Sequence, residues 1–161
     1  MKYLKKFIRL LSTISCILLI VYVLVNLPEA FGYHKLIIKN DDMKSVYSKG
    51  TVIYYYETKN IQVGDYITYK ENDDLKVGRI HRIQDSKYVV RFDNNSEEHL
   101  ELKDIVGKNL NIILLFLGPY VTFVNNNLIL FIVTCLIFII LNIILSNMKE
   151  KEPKKVLKID E

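Results

Sequence analysis

Two long stretches without any charged residue constrain what this chain can fold into. They cover residues 10–28 and 109–148, whereas the middle and both ends carry nearly all the charge. Half of the 161 residues are hydrophobic although a quarter are charged, so the two classes are segregated along the chain. Between the two apolar stretches lie the 80 residues 29–108, enough for one small hydrophobic core. This composition excludes a disordered chain, a collagen-like protein and a disulfide-stapled scaffold.

Each apolar stretch contains a segment long enough to span a bilayer, which takes about 20 apolar residues. We predict a first transmembrane helix at residues 7–27, after a basic N-terminus at 1–6. A second is predicted at 126–147, before a basic tail at 148–161. A cleaved signal peptide is the alternative for the first helix. Its apolar run is longer than a usual signal core and ends in the poor cleavage sequence Asn-Leu-Pro-Glu, so we expect an uncleaved anchor.

Lysines flank both predicted spans on the sides that face the chain ends. Basic residues beside a span are concentrated in the cytoplasm. We therefore predict a two-span protein of the cell membrane, with both termini cytoplasmic and residues 28–125 extracytoplasmic. The lipid bilayer is its first expected partner.

Strand-like patterns fill the middle region. Short runs rich in β-branched and aromatic residues alternate with Gly, Asn and Asp clusters, and none has a sustained helical period. The predicted strands cover residues 36–38, 51–56, 66–69, 77–83 and 88–92. Residues 110–124 are interpreted as a last strand and an apolar segment that lies against the bilayer. The predicted fold is a mostly β extracytoplasmic domain, a small barrel or sandwich, between two transmembrane helices.

The two cysteines, Cys16 and Cys135, both lie in the apolar stretches. A middle region without cysteine excludes a zinc site with Cys ligands there, and it excludes a disulfide within that region. We expect no metal, no cofactor and no nucleic acid partner.

Several short motifs, in their order and spacing, resemble the type I signal peptidases (peptidase S26) of the endoplasmic-reticulum type. Residues 40–46 stand where that family has Ser-Gly-Ser-Met-Glu-Pro-Thr, and Gly50 follows Met43 at the family's spacing. The resemblance covers nearly the whole chain and implies a signal-peptidase-like β-fold. The later motifs are Val63-Gly64-Asp65 before a strand, His81-Arg82-Ile83, Asp93-Asn94-Asn95, Val106-Gly107-Lys108 and Leu117-Gly118.

The resemblance also implies a set of site residues. The family cleaves the signal peptides of exported proteins with a Ser nucleophile, a His base and an orienting acid. In this chain the nucleophile position is occupied by Asp42 and the base position by His81. The motifs offer Asp93 or Glu98 as the orienting acid, and Met43 as a residue of the substrate groove.

Aspartate at position 42 cannot replace a serine nucleophile. Its attack on an amide would form an anhydride, and the intermediate would collapse backwards because carboxylate leaves more readily than the amine. We expect Asp42 and His81 to form an ion pair instead, which keeps the imidazole protonated and unable to accept a proton. Ser45 and Ser48 are not expected to replace the nucleophile, because in an extended segment they would lie ~10 and ~20 Å from position 42. Both are interpreted as turn residues. A shared-proton dyad of Asp42 and Asp93 is not expected.

Three functions remain open. A non-catalytic family member would handle exported precursors, or assemble surface proteins and pili of Gram-positive bacteria together with pilin subunits and a sortase. The stretch Lys76-Val77-Gly78-Arg79-Ile80 resembles such assembly factors, which have Gly in place of the catalytic Lys of the bacterial branch. The alternatives are an active signal peptidase that uses an unusual residue, and a membrane-tethered β-domain that serves as a scaffold or sensor.

Reporter fusions test the predicted topology. A reporter that is active only outside the cell should work when fused near Asn72 and fail when fused after Glu161, because the basic ends hold both termini inside. The measurement is reporter activity of the two fusions in intact cells. Activity of the C-terminal fusion would contradict the two-span topology.

Overall fold

The computed structural model describes residues 2–72, 74–85 and 87–147, which belong to two compact units. One unit holds Tyr22–Asn127, and the other combines the residues before Tyr22 with those after Asn127. The predicted basic tail at 148–161 lies outside the described residues.

The helices include two candidate membrane spans. They are α1 (Lys2–Asn26), α2 (Leu117–Asn126) and α3 (Leu128–Asn147), with a short 3-10 helix at Leu27–Phe31 after α1. By length and composition, α1 and α3 could each cross a bilayer. Most of their apolar side chains are exposed, as is Ile129 at 81%, whereas the core helix of a soluble protein buries its apolar face. One candidate span therefore lies towards each end of the chain.

Small and polar residues are buried between α1 and α3. Ser12 and Ser15 on α1 and Cys135 on α3 are buried. The side-chain amide of Asn142 donates a hydrogen bond to Oγ of Ser12 at 3.4 Å. Helices in lipid associate through close packing of small residues and interhelical hydrogen bonds, because lipid removes the hydrophobic drive between them. This contact is the kind expected between two spans.

The described residues of the middle unit form a seven-stranded sheet in which all neighbouring strands are antiparallel. The strands are β1 (His34–Ile37), β2 (Val52–Tyr56), β3 (Tyr66–Glu71), β4 (Asp74–Gln84), β5 (Lys87–Arg91), β6 (Glu97–Leu100) and β7 (Ile105–Leu114). Their order across the sheet is β1-β2-β7-β3-β4-β5-β6, so β7 inserts between β2 and β3.

One buried cluster draws on strands from both sides of the sheet. Ile38, just beyond the edge strand β1, and Leu100, on the opposite edge strand β6, belong to the same cluster. Ile53 and Ile67 join it from the inner strands and are fully buried. The core therefore extends across the sheet from one edge to the other. The prediction of a mostly β domain is confirmed, in the form of one seven-stranded antiparallel sheet.

The last strand predicted within 110–124 is present as the end of β7, which begins earlier, at Ile105. The apolar segment predicted after this strand forms the helix α2. A left-handed residue, Phe116, redirects the chain before α2, and Pro119 lies in the first turn, where its missing N–H costs no hydrogen bond. Val121 and Val124, three residues apart, are completely buried.

Gly118 holds α2 against the sheet. Its N–H donates to the carbonyl of Gly50 at 2.9 Å. A Cβ at this position would come within 2.5 Å of that carbonyl oxygen and within 2.7 Å of Ile37. Such contacts are too short for any side chain, so this close approach of two backbones requires glycine.

Gly118→Ala should therefore destabilise the middle unit by about 1–3 kcal/mol, the usual cost of forcing extra atoms into a packed contact. Thr122→Ala, at an exposed position of the same helix, is the control and should not destabilise, because Ala favours helix. The measurement is thermal unfolding of the full chain in detergent. Equal unfolding temperatures for Gly118→Ala and wild type would contradict the proposed close approach.

Candidate functional site

A groove with a volume of about 350 Å³ lies where four segments of the middle unit meet. These segments are the turns after β1, the loop before β3, the middle of β4 and the end of β5. The groove is partly apolar and partly charged, and it is lined by Met43, Ser45, Val63, Gly64, Tyr66, Arg79, Ile80, His81, Arg91, Phe92 and Asp93. The structure thus brings together three of the residues that the family resemblance singles out, namely Met43, His81 and Asp93.

Residues 41–47 fold into tight turns, which confirms the interpretation of Ser45 as a turn residue, so the distances expected for an extended segment do not apply. Lys44 N donates to the carbonyl of Asp41 at 3.2 Å, and Val46 N donates to that of Met43 at 3.0 Å. The Met43 side chain is 6% exposed and belongs to the hydrophobic core, so it anchors these turns. As a result, Ser45 lines the groove, which an extended chain would not have allowed.

Asp42 is not among the residues that line this groove. Asp42 is exposed, and its Oδ2 accepts a hydrogen bond from the side-chain amide of Asn40 at 2.6 Å. It lines a neighbouring pocket together with Lys44. Among the described residues, Asp42 makes no ion pair with His81, whose nearby carboxylate belongs to Glu97. The expected Asp42–His81 ion pair is therefore not formed, because a closer local partner binds the carboxylate.

Asp93 connects the turns after β1 with the turn after β5. Its Oδ1 accepts a hydrogen bond from the Ser45 hydroxyl and its Oδ2 accepts one from Ser45 N, both at 2.6 Å. Its own N–H donates to the carbonyl of Asp42 at 3.2 Å. The Ser45 hydroxyl, and then the Ser45 N–H, lower the pKa of Asp93 because they stabilise the carboxylate. Asp93 is thus a charged acceptor that fixes the turn, and a weak base.

His81 is the extra residue of a β-bulge. The register pairs Ile80 with Val90 but Arg82 with Val89, so β4 has one more residue than β5 at this point. A bulge interrupts the alternation of a strand and redirects the side chain, which is why bulges are common beside functional sites. His81 is exposed and lines the groove.

The acidic residue close to His81 is Glu97. Its Oε1 lies 4.0 Å from Nε2 of His81, and its Oε2 accepts a hydrogen bond from Arg82 at 2.9 Å. Glu98, the candidate from the sequence, accepts a hydrogen bond from the Tyr69 hydroxyl at 2.7 Å. Burial, followed by the Glu98 carboxylate, raises the pKa of Tyr69. Neighbours on a strand point to opposite faces, so Glu97 and Glu98 have different partners.

The described residues do not form a shared-proton dyad with Asp93, a site for a lysine base at position 78 or a three-ligand metal site. A shared-proton dyad would raise the pKa of one carboxyl, but the pKa of Asp93 is lowered and its oxygens bind Ser45. A lysine base has no room at Gly78, since a Cβ there would come within 2.1 Å of Val90. In residues 2–72, 74–85 and 87–147, no group of three His, Cys, Asp or Glu side chains could hold a metal ion.

Two arginines of the groove, Arg79 and Arg91, were not among the residues predicted from the sequence. Both occupy outward positions of predicted strands, with Ile80 and Val90 pointing to the core beside them. Their alternation with buried residues marks them as exposed, but their pairing across β4 and β5 depends on the strand register. The bulge at His81 shifts the register of β4 against β5 by one residue, and no pattern in the sequence predicts this bulge.

Ser45→Ala should destabilise the chain by about 0.5–1.5 kcal/mol at neutral pH, a value reduced for solvent exposure, since it removes a hydrogen bond to a carboxylate. The folded-state pKa of Asp93 is lowered, so this stabilisation is present above the unfolded pKa of about 3.9 and is lost as pH falls through the lower folded value. The difference between wild type and Ser45→Ala should therefore shrink in strong acid.

Thermal unfolding of the full chain against pH measures this effect. Ser96→Ala is the matched control, because the Ser96 hydroxyl donates to a neutral acceptor, the side-chain oxygen of Asn94, at 2.6 Å in the same turn. Its effect should not change through the acid range. Parallel curves for wild type and Ser45→Ala at every pH would show that the Asp93 charge does not stabilise the turn.

Comparison with known proteins adds no relative to this picture. No model of a known protein family matches the chain, and no curated protein is significantly similar to it. The functional interpretation therefore rests on the residues and the geometry described above.

Proposed function

We propose that this protein is a non-catalytic, signal-peptidase-like membrane protein that binds an extended segment of an exported precursor in its groove without cleaving it. The observation that carries the proposal is the separation of two positions. His81 and Met43 line the groove, whereas the carboxylate of Asp42, at the nucleophile position, is bound by Asn40 outside it. This arrangement favours peptide binding over cleavage, because Asp42 does not line the groove that contains His81.

The groove has the surfaces that an extended peptide needs. Met43 and Phe92 give it a buried apolar floor, and Val63, which is 60% exposed, adds an apolar wall. Ligand sites combine such apolar linings with a few placed polar groups, here supplied by His81 and the arginines. Short apolar side chains at alternate positions of a peptide could enter this lining while its backbone runs past the polar groups.

The proposed location follows from the two candidate spans. With both basic ends in the cytoplasm, the groove would face the outer side of the cell membrane, where exported chains emerge. The clients would be exported precursors or their signal peptides, with pilin subunits and a sortase as the assembly partners that the family resemblance suggests. A scaffold or sensor that uses the same groove would differ from this proposal in having no exported client.

Ser45 is the aliphatic hydroxyl that lines the groove, and it does not favour an active peptidase. Its proton is already donated to the Asp93 carboxylate at 2.6 Å. The lowered pKa of Asp93 makes that carboxylate a poor general base near neutral pH. Serine nucleophiles need a base that can take the proton in the transition state.

A single-tryptophan experiment tests peptide binding, since the natural chain has no Trp. Val63→Trp puts the reporter in the groove, and Ile83→Trp puts it on an exposed part of β4 outside the groove lining. The probe is a soluble peptide that covers the polar end of a signal sequence, its Ala-x-Ala site and the first mature residues. In the full chain held in nanodiscs, the peptide should saturably shift Trp emission at position 63 and not at position 83.

The same mixtures, analysed by mass spectrometry, should contain intact peptide for wild type and for Asp42→Ser. If Val63→Trp itself blocks the groove, fluorescence polarisation of a labelled peptide should show binding by wild type and Ile83→Trp and none by Val63→Trp. Absence of peptide binding by wild type would overturn the proposal. So would turnover that disappears in His81→Ala or Ser45→Ala.

A further inference from the structure

We propose that Arg79 and Arg91 form a receptor for a carboxylate of the bound segment, so that the groove selects peptides that present an acidic group to it. This inference rests on the proposed function and names what the groove recognises.

Two like charges stand directly opposite each other on neighbouring strands. The register of β4 and β5 pairs Arg79 with Arg91, so both side chains project from the same face of the sheet. Both are exposed and both line the groove. Like charges directly opposite each other in an antiparallel pair destabilise the sheet. Such a pair needs a compensating negative charge or remains a cost to the fold.

The described residues supply this pair with neutral partners. Nε of Arg79 donates to the carbonyl of Gly64 at 3.3 Å, and its guanidinium lies 5.6 Å from the ring centroid of Tyr66. Arg91 donates to the side-chain oxygen of Asn95 at 2.8 Å. Within the described part of the chain, neither arginine lies within ion-pair distance of a carboxylate. By contrast, Arg82, on the same strand as Arg79, pairs with Glu97 at 2.9 Å.

The nearby carboxylates are already bound elsewhere. Both oxygens of Asp93, which lines the groove, accept hydrogen bonds from Ser45. Glu97 is opposite Arg91 in the register of β5 and β6, but its carboxylate pairs with Arg82 and approaches His81. The two acidic residues nearest to this pair in the groove and in the register, Asp93 and Glu97, therefore have other partners, and within the described residues neither forms an ion pair with Arg79 or Arg91.

Guanidinium groups are suited to the missing partner. A planar fork of N–H donors binds a carboxylate with two parallel hydrogen bonds, and these charge-assisted bonds are stronger than neutral ones. The neutral contacts of Arg79 and Arg91 fix each side chain at the groove and leave its charge uncompensated, which prepares it for an anion. The apolar lining from Met43 and Phe92 favours a peptide over a free inorganic anion, because it adds contact area that a small anion cannot use.

Three labelled peptides of equal length test the proposal with the full chain in nanodiscs. Each alternates valine and serine. The first has a central glutamate and an amidated C-terminus, the second a central glutamine and an amidated C-terminus, and the third a central glutamine and a free C-terminal carboxylate. Fluorescence polarisation gives the dissociation constants for wild type, Arg79→Gln, Arg91→Gln and the control Lys87→Gln. Lys87 is an exposed residue of β5 outside the groove lining, so its substitution removes the same charge without changing the groove.

Wild type should bind at least one carboxylate peptide about tenfold more tightly than the amidated glutamine peptide, the ratio that one charge-assisted contact gives. The first and third peptides tell a side-chain carboxylate from a terminal one. The preference should fall severalfold in Arg79→Gln and Arg91→Gln, persist in Lys87→Gln, and weaken with added salt. Arg91→Lys, which keeps the charge without the fork, should recover part of it.

Results that overturn only the carboxylate receptor differ from those that also overturn the proposed function. Equal binding of all three peptides by wild type would overturn the carboxylate receptor and leave the peptide-binding function standing. If Lys87→Gln loses the preference for carboxylate peptides as fully as Arg91→Gln does, the preference reflects general attraction by net charge. That result would also overturn the receptor. A wild-type protein that binds no peptide would overturn the receptor and the proposed function together. Competition by inorganic phosphate as strong as by the glutamate peptide would show a general anion site and would contradict selection of peptides.

Discussion

The hydrogen bonds of Asp93 tie the turns after β1 to the turn after β5, and the groove exists because these two segments are held together. Asp93 accepts two bonds from Ser45 and donates one to the carbonyl of Asp42. Neither segment belongs to the ladder of the sheet, so the strand register alone would not fix their distance. The exposed contact contributes about 1 kcal/mol, far less than the core. The contact matters because it fixes the position of the turn that contains Met43 and Ser45, and therefore the shape of the groove.

The organisation of charge around the groove suits binding better than proton transfer. Across the sheet, the register runs from Tyr66 through Arg79 and Arg91 to Glu97. Arg79 lies over the ring of Tyr66, while the carboxylate of Glu97 turns to Arg82 and His81. A hydrolase needs a base within hydrogen-bond reach of its nucleophile. In this groove, Asp93 is a weak base whose oxygens are bound by Ser45, and the two arginines have neutral partners.

The sequence was informative where a pattern is local and uninformative where register or turn geometry decides. Residues 51–56 and 88–92 are β-branched and aromatic, and both were predicted as strands that the structure contains. β6 was missed because its sequence, Glu-Glu-His-Leu, has one apolar residue, and its strand state depends on pairing with β5. The helix α2 was read as an apolar segment because Gly118-Pro119 looked like a break, whereas proline in a first helical turn is compatible with a helix.

The candidate site shows the same division. The motifs gave Met43, His81 and Asp93, which the structure places at one groove. They could not give the partner of His81, because the choice between Glu97 and Glu98 depends on which side of β6 faces outward. They also could not place Ser45, because an extended segment was assumed where Met43, buried in the core, anchors consecutive turns.

The structure explains how position 42 can hold an aspartate without loss of the groove. Position 42 helps to join the two turns through its backbone carbonyl, which accepts a hydrogen bond from the N–H of Asp93. Any residue at this position supplies such a carbonyl. Its side chain is exposed and bound by Asn40, so a change there disturbs neither the core nor the groove lining. At the next positions the side chains matter. The buried side chain of Met43 and the hydroxyl of Ser45 hold the turns in place. Position 42 can therefore hold an aspartate without a change in the groove lining, whereas Met43 cannot be replaced without a change in the same surface.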